Sequence, residues 1–211
     1  MGGGTSSRFG SEKLLSEVAG SPLLSHTISA VLDIVDRCVV VSRPELVDKI
    51  SDLSLGVEIV PGGSSRTLSE MAGLAALGDQ FDLIGIHDAA RPLIDPGLVN
   101  QLFLAAEETG GAVPILEPDD LLVDRRLYRP VDRPVAVQTP QVFRGPELLV
   151  AYVRAAQAGY EGHDTVEIVH RYGELKIAAV PGDPSNIKVT YPKDLEFVRQ
   201  ALGDPSRSEP R

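Results

Sequence analysis

Apolar residues recur along the chain with two alternating periods. From Pro22 to Ile34, Leu23, Leu24, Thr27, Ile28, Val31 and Leu32 fall on one helical face. Cys38 to Val41 is a short β-branched run that reads as a buried strand. The pattern continues as a helix over Pro44 to Asp52, a strand over Val57 to Val60, and a helix over Ser64 to Leu77 entered from Pro61-Gly62-Gly63. Asp82 to Ile86 is the next strand, followed by a helix from Pro96 to Thr109 with Gly110-Gly111 as its stop. Ala112 to Leu116 is again a strand. Beyond the middle of the chain the spacing predicts helices over Pro146 to Ala158, Asp164 to Tyr172 and Pro192 to Leu202. Strands are predicted over Leu175 to Val180 and Asn186 to Thr190.

Strand and helix units in alternation indicate an α/β fold, a mainly parallel sheet flanked by helices, in one domain over residues 1–203. Two stretches stand outside it. Glu117 to Pro134 carries several Asp and Arg residues and three prolines with no helical face, so it is a loop or an excursion from the domain. Residues 204–211 are a polar tail expected to be disordered. Ligands of such sheets sit beyond the carboxyl ends of the strands. Four loops fall there: Gly2 to Lys13, Gly62 to Ser69, His87 to Pro92 and Gly182 to Lys188.

Composition narrows the function classes. Of 211 residues, 43% are hydrophobic and 24% charged, ordinary for a globular chain. No apolar run is long enough for a membrane span, and no secretory signal pattern is visible. The single cysteine, Cys38, excludes an intrachain disulfide framework, and a cytoplasmic setting is expected. The net charge of −10 argues against non-specific nucleic-acid binding. It leaves anionic small molecules open, because a local pocket can oppose the global field.

The four loops carry the candidate chemistry. Gly2, Gly3 and Gly4 let backbone N–H groups form an anion nest, and Arg8 and Lys13 add two cations. The competing reading is a flexible glycine-rich terminus. Lys13 has no neighbouring Gly and Ser/Thr, so this is no Walker A loop. Gly62 to Ser69 joins a strand to a helix N-terminus, which suits an anion or a polar base edge, or is simply a capped turn. His87-Asp88-Ala89-Ala90-Arg91-Pro92 puts an aspartate at a strand end, where it can sit near Mg²⁺ or form a local ion pair with Arg91. Lys188 stands in an apolar segment and calls for an anionic partner, unless that strand is a solvated edge.

In order, the motifs are G-G-G-x-x-x-R-F-x-x-x-K, G-G-x-x-R-x-x-S, H-D-A-A-R-P, V-Q-T-P-Q-x-F and N-I-K-V-T-x-P-x-D-L. From Gly2 to Leu202 the chain resembles the 2-C-methyl-D-erythritol 4-phosphate cytidylyltransferases and their relatives, the ribitol-5-phosphate cytidylyltransferases. The resemblance implies a Rossmann-like domain with a protruding β-arm, about residues 117–137, that builds a homodimer. It implies CTP and a polyol phosphate as substrates, Mg²⁺ as cofactor, and a step of the non-mevalonate isoprenoid pathway. Arg8 and Lys13 match the transition-state stabilisers, and Gly2, Gly3 and Gly4 the nucleotide cradle. Gly63, Ser64 and Ser69 match the cytosine-reading loop, and Asp88 the nucleotide-site aspartate near the metal. Lys188 matches the residue that positions the attacking phosphate, Thr139 lines the same pocket, and Arg133 matches the arm arginine that reaches the neighbouring subunit's substrate.

Three departures concern the acceptor half. His163-Asp164-Thr165 stands where the family usually has Thr-Asp-Glu, with His163 in place of the threonine that meets the substrate phosphate. Asp119-Asp120 replaces the arm's Asp-Thr, and Arg133 lies two positions closer to Thr139 than usual. These keep another polyol phosphate, or a non-catalytic nucleotide-binding paralogue, as alternatives. In this fold the phosphate loop follows a central first strand, and Met1 leads straight into Gly2. The expectation is therefore a sheet without its first strand and a poorly ordered Gly2 to Gly4. The four histidines lack metal-ligand spacing. His26 reads as a structural hydrogen-bonder, His170 as a surface residue and His87 as a brace for its loop.

Overall fold

The computed structural model describes residues 12–120, 122 and 132–203. In chain order it has a 3₁₀ turn at Lys13–Leu15, then β1 (Glu17–Val18), β2 (Ser21–Pro22), α1 (Leu23–Leu32) and β3 (Val39–Ser42). A 3₁₀ turn at Pro44–Leu46 leads into α2 (Val47–Ser51), β4 (Glu58–Pro61), α3 (Arg66–Leu77), β5 (Leu83–Ile86), α4 (Pro96–Thr109) and β6 (Gly110–Leu116). The second half contains β7 (Ala136–Val137), β8 (Gln141–Arg144), α5 (Gly145–Gln157), α6 (Thr165–Tyr172), β9 (Lys176–Pro181) and α7 (Pro192–Ala201).

Local chemistry sets the helix ends. Ser65 caps α3 by accepting from the Leu68 N–H, Asp95 caps α4 from the Leu98 N–H, and Asp164 caps α6 from the Val166 N–H. Pro96 occupies the first turn of α4, where its missing N–H costs nothing. Gly110 ends that helix at φ +108°, a left-handed conformation that L side chains rarely adopt.

The sheet is mixed, which corrects the mainly parallel expectation. β3 and β4 run parallel, as do β6 and β9. β8 lies between β5 and β6 and is antiparallel to both, and β7 is antiparallel to the far end of β6. The physical reason is the excursion after β6. Among the described residues no helix stands between β6 and β7, and the chain returns along β6 as strands of opposite direction. β8 is four residues long, too short for its period to stand out in the sequence. A second correction concerns Asn186 to Thr190, which is extended but pairs with no strand among the described residues. Its backbone tie there is Val189 N–H to the Ala90 carbonyl at 2.8 Å. The side chains and carbonyls of this segment are committed to the loops described below. The β1–β2 hairpin, two residues a side, was not signalled by the apolar pattern.

Alternate residues of the central strands feed opposite faces. Val113 and Phe143 pack with Leu148, Tyr152 and Ile168 of α5 and α6, while Ala112 and Val142 pack with Leu98, Val99 and Leu102 of α4. Both faces are covered, so β6 reads as a continuous apolar run. A third core joins α1, α2, β3 and α7 to Val189.

Among the described residues β3 pairs only with β4, and β5 only with β8. Between these strands lies a cavity of about 630 Å³, lined by Val39 to Val41 of β3, Leu83 to Ile86 of β5, Leu24 and Ile28 of α1, and Gly73 and Leu74 of α3. The expectations about a first strand and about the order of Gly2 to Gly4 turn on residues outside those described. Most of the arm lies outside them too, as does the tail. Of the stretch expected to form an arm, the described residues include β7, paired to Ile115 and Leu116.

Candidate active site

Asp88 is the centre of the site. It stands at the end of β5, 5% exposed, and its backbone N–H donates to Thr139 Oγ1 at 3.0 Å. Three cations converge on its carboxylate. Arg66 Nη1 reaches Oδ1 at 3.2 Å, while Lys188 Nζ and Arg91 Nε reach Oδ2 at 3.0 and 3.4 Å. Burial pushes this carboxyl up, but Lys188 and then Arg66 outweigh it and hold it well below the usual carboxylate range. The anionic partner expected for Lys188 is therefore Asp88. The lysine itself is not buried: its side chain is 42% exposed, so the ammonium borders solvent.

The loops are tied together by polar side chains. Lys13 Nζ donates to the Val189 carbonyl at 2.8 Å, which brings the first loop's lysine beside the segment that carries Lys188. Asn186 is fully buried, and its carbonyl accepts from Arg91 Nη1 at 2.6 Å and Gln138 Nε2 at 3.2 Å. Its own amide donates to the Thr139 carbonyl at 3.0 Å. Gln138 also exchanges hydrogen bonds with the backbone of Asp183 in both directions. Gln141 Oε1 accepts from the Val166 N–H, which fixes the start of α6 against β8.

His87 braces its loop, as the sequence suggested. Nδ1 meets the Thr139 hydroxyl at 3.0 Å and Nε2 lies 3.3 Å from the Arg91 carbonyl. A carbonyl can only accept, so Nε2 carries the proton and Thr139 donates to Nδ1. Burial above all lowers its pKa to about 4, so the ring is neutral near pH 7. His26 likewise sits 2.7 Å from the Val18 carbonyl, as a structural hydrogen-bonder should.

The remaining residues expected in the site fall into four groups. Gly63 and Ser64 are exposed on the loop entering α3. Close approach explains the glycines there: a Cβ on Gly63 would stand 2.4 Å from Leu68 Cβ, and one on Gly62 2.7 Å from Ser69 Oγ. Ser69 is buried, and its hydroxyl donates to the backbone of the same loop, with the Ser65 carbonyl at 2.8 Å. Thr139 is 2% exposed, with its hydroxyl engaged by Asp88 and His87. Both therefore shape the loops in this structure. His163 and Arg133 are exposed. No hydrogen bond or ion pair among the described residues joins either to Asp88; His163 pairs with Glu167. Gly2, Gly3, Gly4 and Arg8 lie outside the described residues.

Sequence reasoning assigned no role to Arg66 or Glu70. The signal was available, since Arg66 is the arginine of G-G-x-x-R-x-x-S and Glu70 follows at i+4, the spacing of a helical ion pair.

A cluster of fixed cations at strand ends, beside a glycine loop and a helix N-terminus, is built for a phosphorylated ligand. A profile of the 2-C-methyl-D-erythritol 4-phosphate cytidylyltransferases matches residues 1–203. The chain belongs to this family. It is accordingly a nucleotidyltransferase of isoprenoid biosynthesis. Similar curated relatives are the 2-C-methyl-D-erythritol 4-phosphate cytidylyltransferases of Solibacter usitatus, 34% identical over 96% of this chain and 90% of that one, and of Aquifex aeolicus, 33% identical over 96% and 95%. Among solved structures, the 4-diphosphocytidyl-2C-methyl-D-erythritol synthase of Anaerococcus prevotii superposes with a TM-score of 0.82 at 26% identity, covering 90% of this chain and 93% of that one. The cytidylyltransferase of Thermus thermophilus gives 0.78 at 30% identity, covering 90% and 94%. The mixed sheet of this cytidylyltransferase is therefore the architecture of its structural neighbours. No helix among its described residues is long and apolar enough to cross a membrane.

Proposed function

We propose that the four loops bind CTP and 2-C-methyl-D-erythritol 4-phosphate and transfer the cytidylyl group between them. The observation that carries this reading is the meeting of two lysines from opposite ends of the chain. Lys188 is held on Asp88 at 3.0 Å while Lys13 is held on the Val189 carbonyl at 2.8 Å. A phosphate oxygen of the acceptor attacks the α-phosphorus of CTP. An O–P bond forms there as the bond to the β-phosphate oxygen breaks, and pyrophosphate leaves. The nucleophile is already anionic, so no general base is required, and charge neutralisation and alignment supply the catalysis. In this reading Lys13 and Arg8 stabilise the charge on the α-phosphate, and Lys188 aligns the attacking phosphate. Gly2, Gly3 and Gly4 cradle the triphosphate. The loop of Gly63, Ser64 and Ser69 reads the cytosine edge through its backbone. Thr139 holds the pocket wall, and His163 and Arg133 approach the acceptor. The relatives described above are all methylerythritol-phosphate enzymes by name, which favours that acceptor over ribitol 5-phosphate.

Mg²⁺ fits as an ion carried in on CTP. It is commonly bound by one or two carboxylates together with substrate phosphates. Asp88 is the carboxylate at hand, and since its two oxygens already pair with Arg66, Arg91 and Lys188 the ion would rest chiefly on the triphosphate; among the described residues no group of three or more His, Cys, Asp or Glu side chains could hold a metal. When bound, the ion neutralises phosphate charge. CTP with Mg²⁺ is expected to raise the melting temperature by several degrees. UTP should do less, GTP should do nothing, and chelating the Mg²⁺ should remove the CTP shift. Differential scanning fluorimetry checks this, and stabilisation by GTP without CTP contradicts the cytidylyl reading.

The proposal includes a homodimer in a cytoplasmic setting. The base of the arm supports the dimer, because apolar Leu122 and Val135 beside it are 44% and 43% exposed. Sedimentation should give the mass of two chains, and Val135→Asp should shift it toward one. A monomer in the parent protein argues against the arm's role.

A further inference from the structure

Glu70 is a carboxylate shut off from solvent, and the reaction above does not use it. It lies on α3 with 1% exposure. Its Oε2 accepts from the Tyr152 hydroxyl at 2.5 Å, and its Oε1 accepts from the Thr165 hydroxyl at 3.1 Å. Oε1 also lies 2.8 Å from Arg66 Nε, in an ion pair too bent to count as a hydrogen bond. Arg66 then spans the gap to Asp88, whose other oxygen holds Lys188.

A carboxylate buried among apolar side chains is costly unless its partners are fixed. Here the partners come from three helices, α3, α5 and α6, so the group is held from every side. Burial raises its pKa, and the Arg66 cation and the two hydroxyls oppose that rise. The result for Arg66 is a guanidinium shared between two carboxylates. Without Glu70, Asp88 would face Arg66, Arg91 and Lys188 with only the unbonded carboxylate of Asp164 acting on the two arginines beside it. Arg66 would then draw on Asp88 in competition with Lys188.

We infer that Glu70 is a positioning residue for the cytidylyl transfer: it anchors Arg66 so that Asp88 holds Lys188 in line with the acceptor phosphate. The inference rests on the functional reading above and deepens it. Thr165, at the start of α6, donates to Glu70, so the two positions face each other across the packed helices.

The test is a relocation of that carboxylate, with steady-state kinetics on CTP and methylerythritol phosphate. Glu70→Gln removes the charge and keeps the shape: its amide oxygen accepts from one hydroxyl, and the other hydroxyl turns to accept from the amide N–H. It is expected to lower kcat at least tenfold, with KM for CTP within about twofold and melting within a few degrees of the parent. Glu70→Thr combined with Thr165→Glu returns a carboxylate to the same point from the opposite helix. It is expected to restore kcat to within about threefold of the parent. Parental kcat in Glu70→Gln overturns the inference. So does a folded double variant whose kcat stays more than tenfold low, and that arm decides the matter even if Glu70→Gln does not fold. Absence of turnover in the parent itself overturns the functional reading, and this inference with it.

Discussion

Lys188→Met lowers kcat for cytidylyl transfer by on the order of 10³, with KM for CTP little changed and the fold intact. Removing one preorganised electrostatic donor from an active site costs about 10² to 10³ in rate. Lys188 stands at the upper end because alignment of the nucleophile is lost with the charge. Methionine keeps the unbranched stem and its contacts while deleting the ammonium. Asp88 retains Arg66 and Arg91 after the change, so its carboxylate is still paired and the loop has no new buried charge to relieve. Single-turnover kinetics with thermal melting check this. Turnover within tenfold of the parent contradicts the alignment role, and a large fall in melting temperature would assign Lys188 to stability instead.

Lys13→Ala abolishes detectable turnover, a loss of about 10³ or more, while the melting temperature in the absence of CTP falls only slightly. The lysine donates to the Val189 carbonyl, and that segment keeps its Val189 N–H bond to Ala90 and the buried Asn186 without it. On the proposed mechanism its charge is needed at the α-phosphate in the transition state, where no other described cation comes from the first loop. Thermal shift by CTP should shrink as well, since the ground-state triphosphate shares the interaction. Near-parental turnover would remove Lys13 from the mechanism. Loss of the CTP shift with kcat unchanged would make it a binding residue only.

How much of this was legible in the chain differs between elements. The long helices were, because Leu98, Val99, Leu102 and Ala106 of α4 or Leu148, Ala151, Tyr152 and Ala155 of α5 repeat at the helical period and all bury. Strands β3 to β6 were, since β-branched runs between turn residues mark them. β8 was not. Its two core residues, Val142 and Phe143, point to opposite faces and have too few neighbours in sequence to show a period. Asn186 to Thr190 looked like a strand because its apolar residues alternate with polar ones. In the structure that alternation serves Val189, which packs into a core, and Asn186 and Lys188, which reach the other loops.

The site divides in the same way. Asp88, Lys188 and Lys13 were legible because each is a charged residue in a loop or an apolar run, where a charge needs a reason. The arginine cluster around Asp88 and the Glu70 anchor were not. Arg66 looks like an ordinary first-turn residue and Glu70 like an ordinary polar position on α3. Only the packing of α5 and α6 over α3 buries that carboxylate and sets Tyr152 and Thr165 upon it.

By itself the sequence determined the element types, the loops that meet at the strand ends, and the family, because these depend on local periodicity and on motifs read in order. The tertiary structure alone decided the direction of β8, the mixed character of the sheet, and which charges share a partner. Those outcomes depend on contacts between residues far apart in the chain, such as Lys13 with Val189 and Arg66 with Asp88. Burial then turns an unremarkable glutamate into a charge that must be held in place.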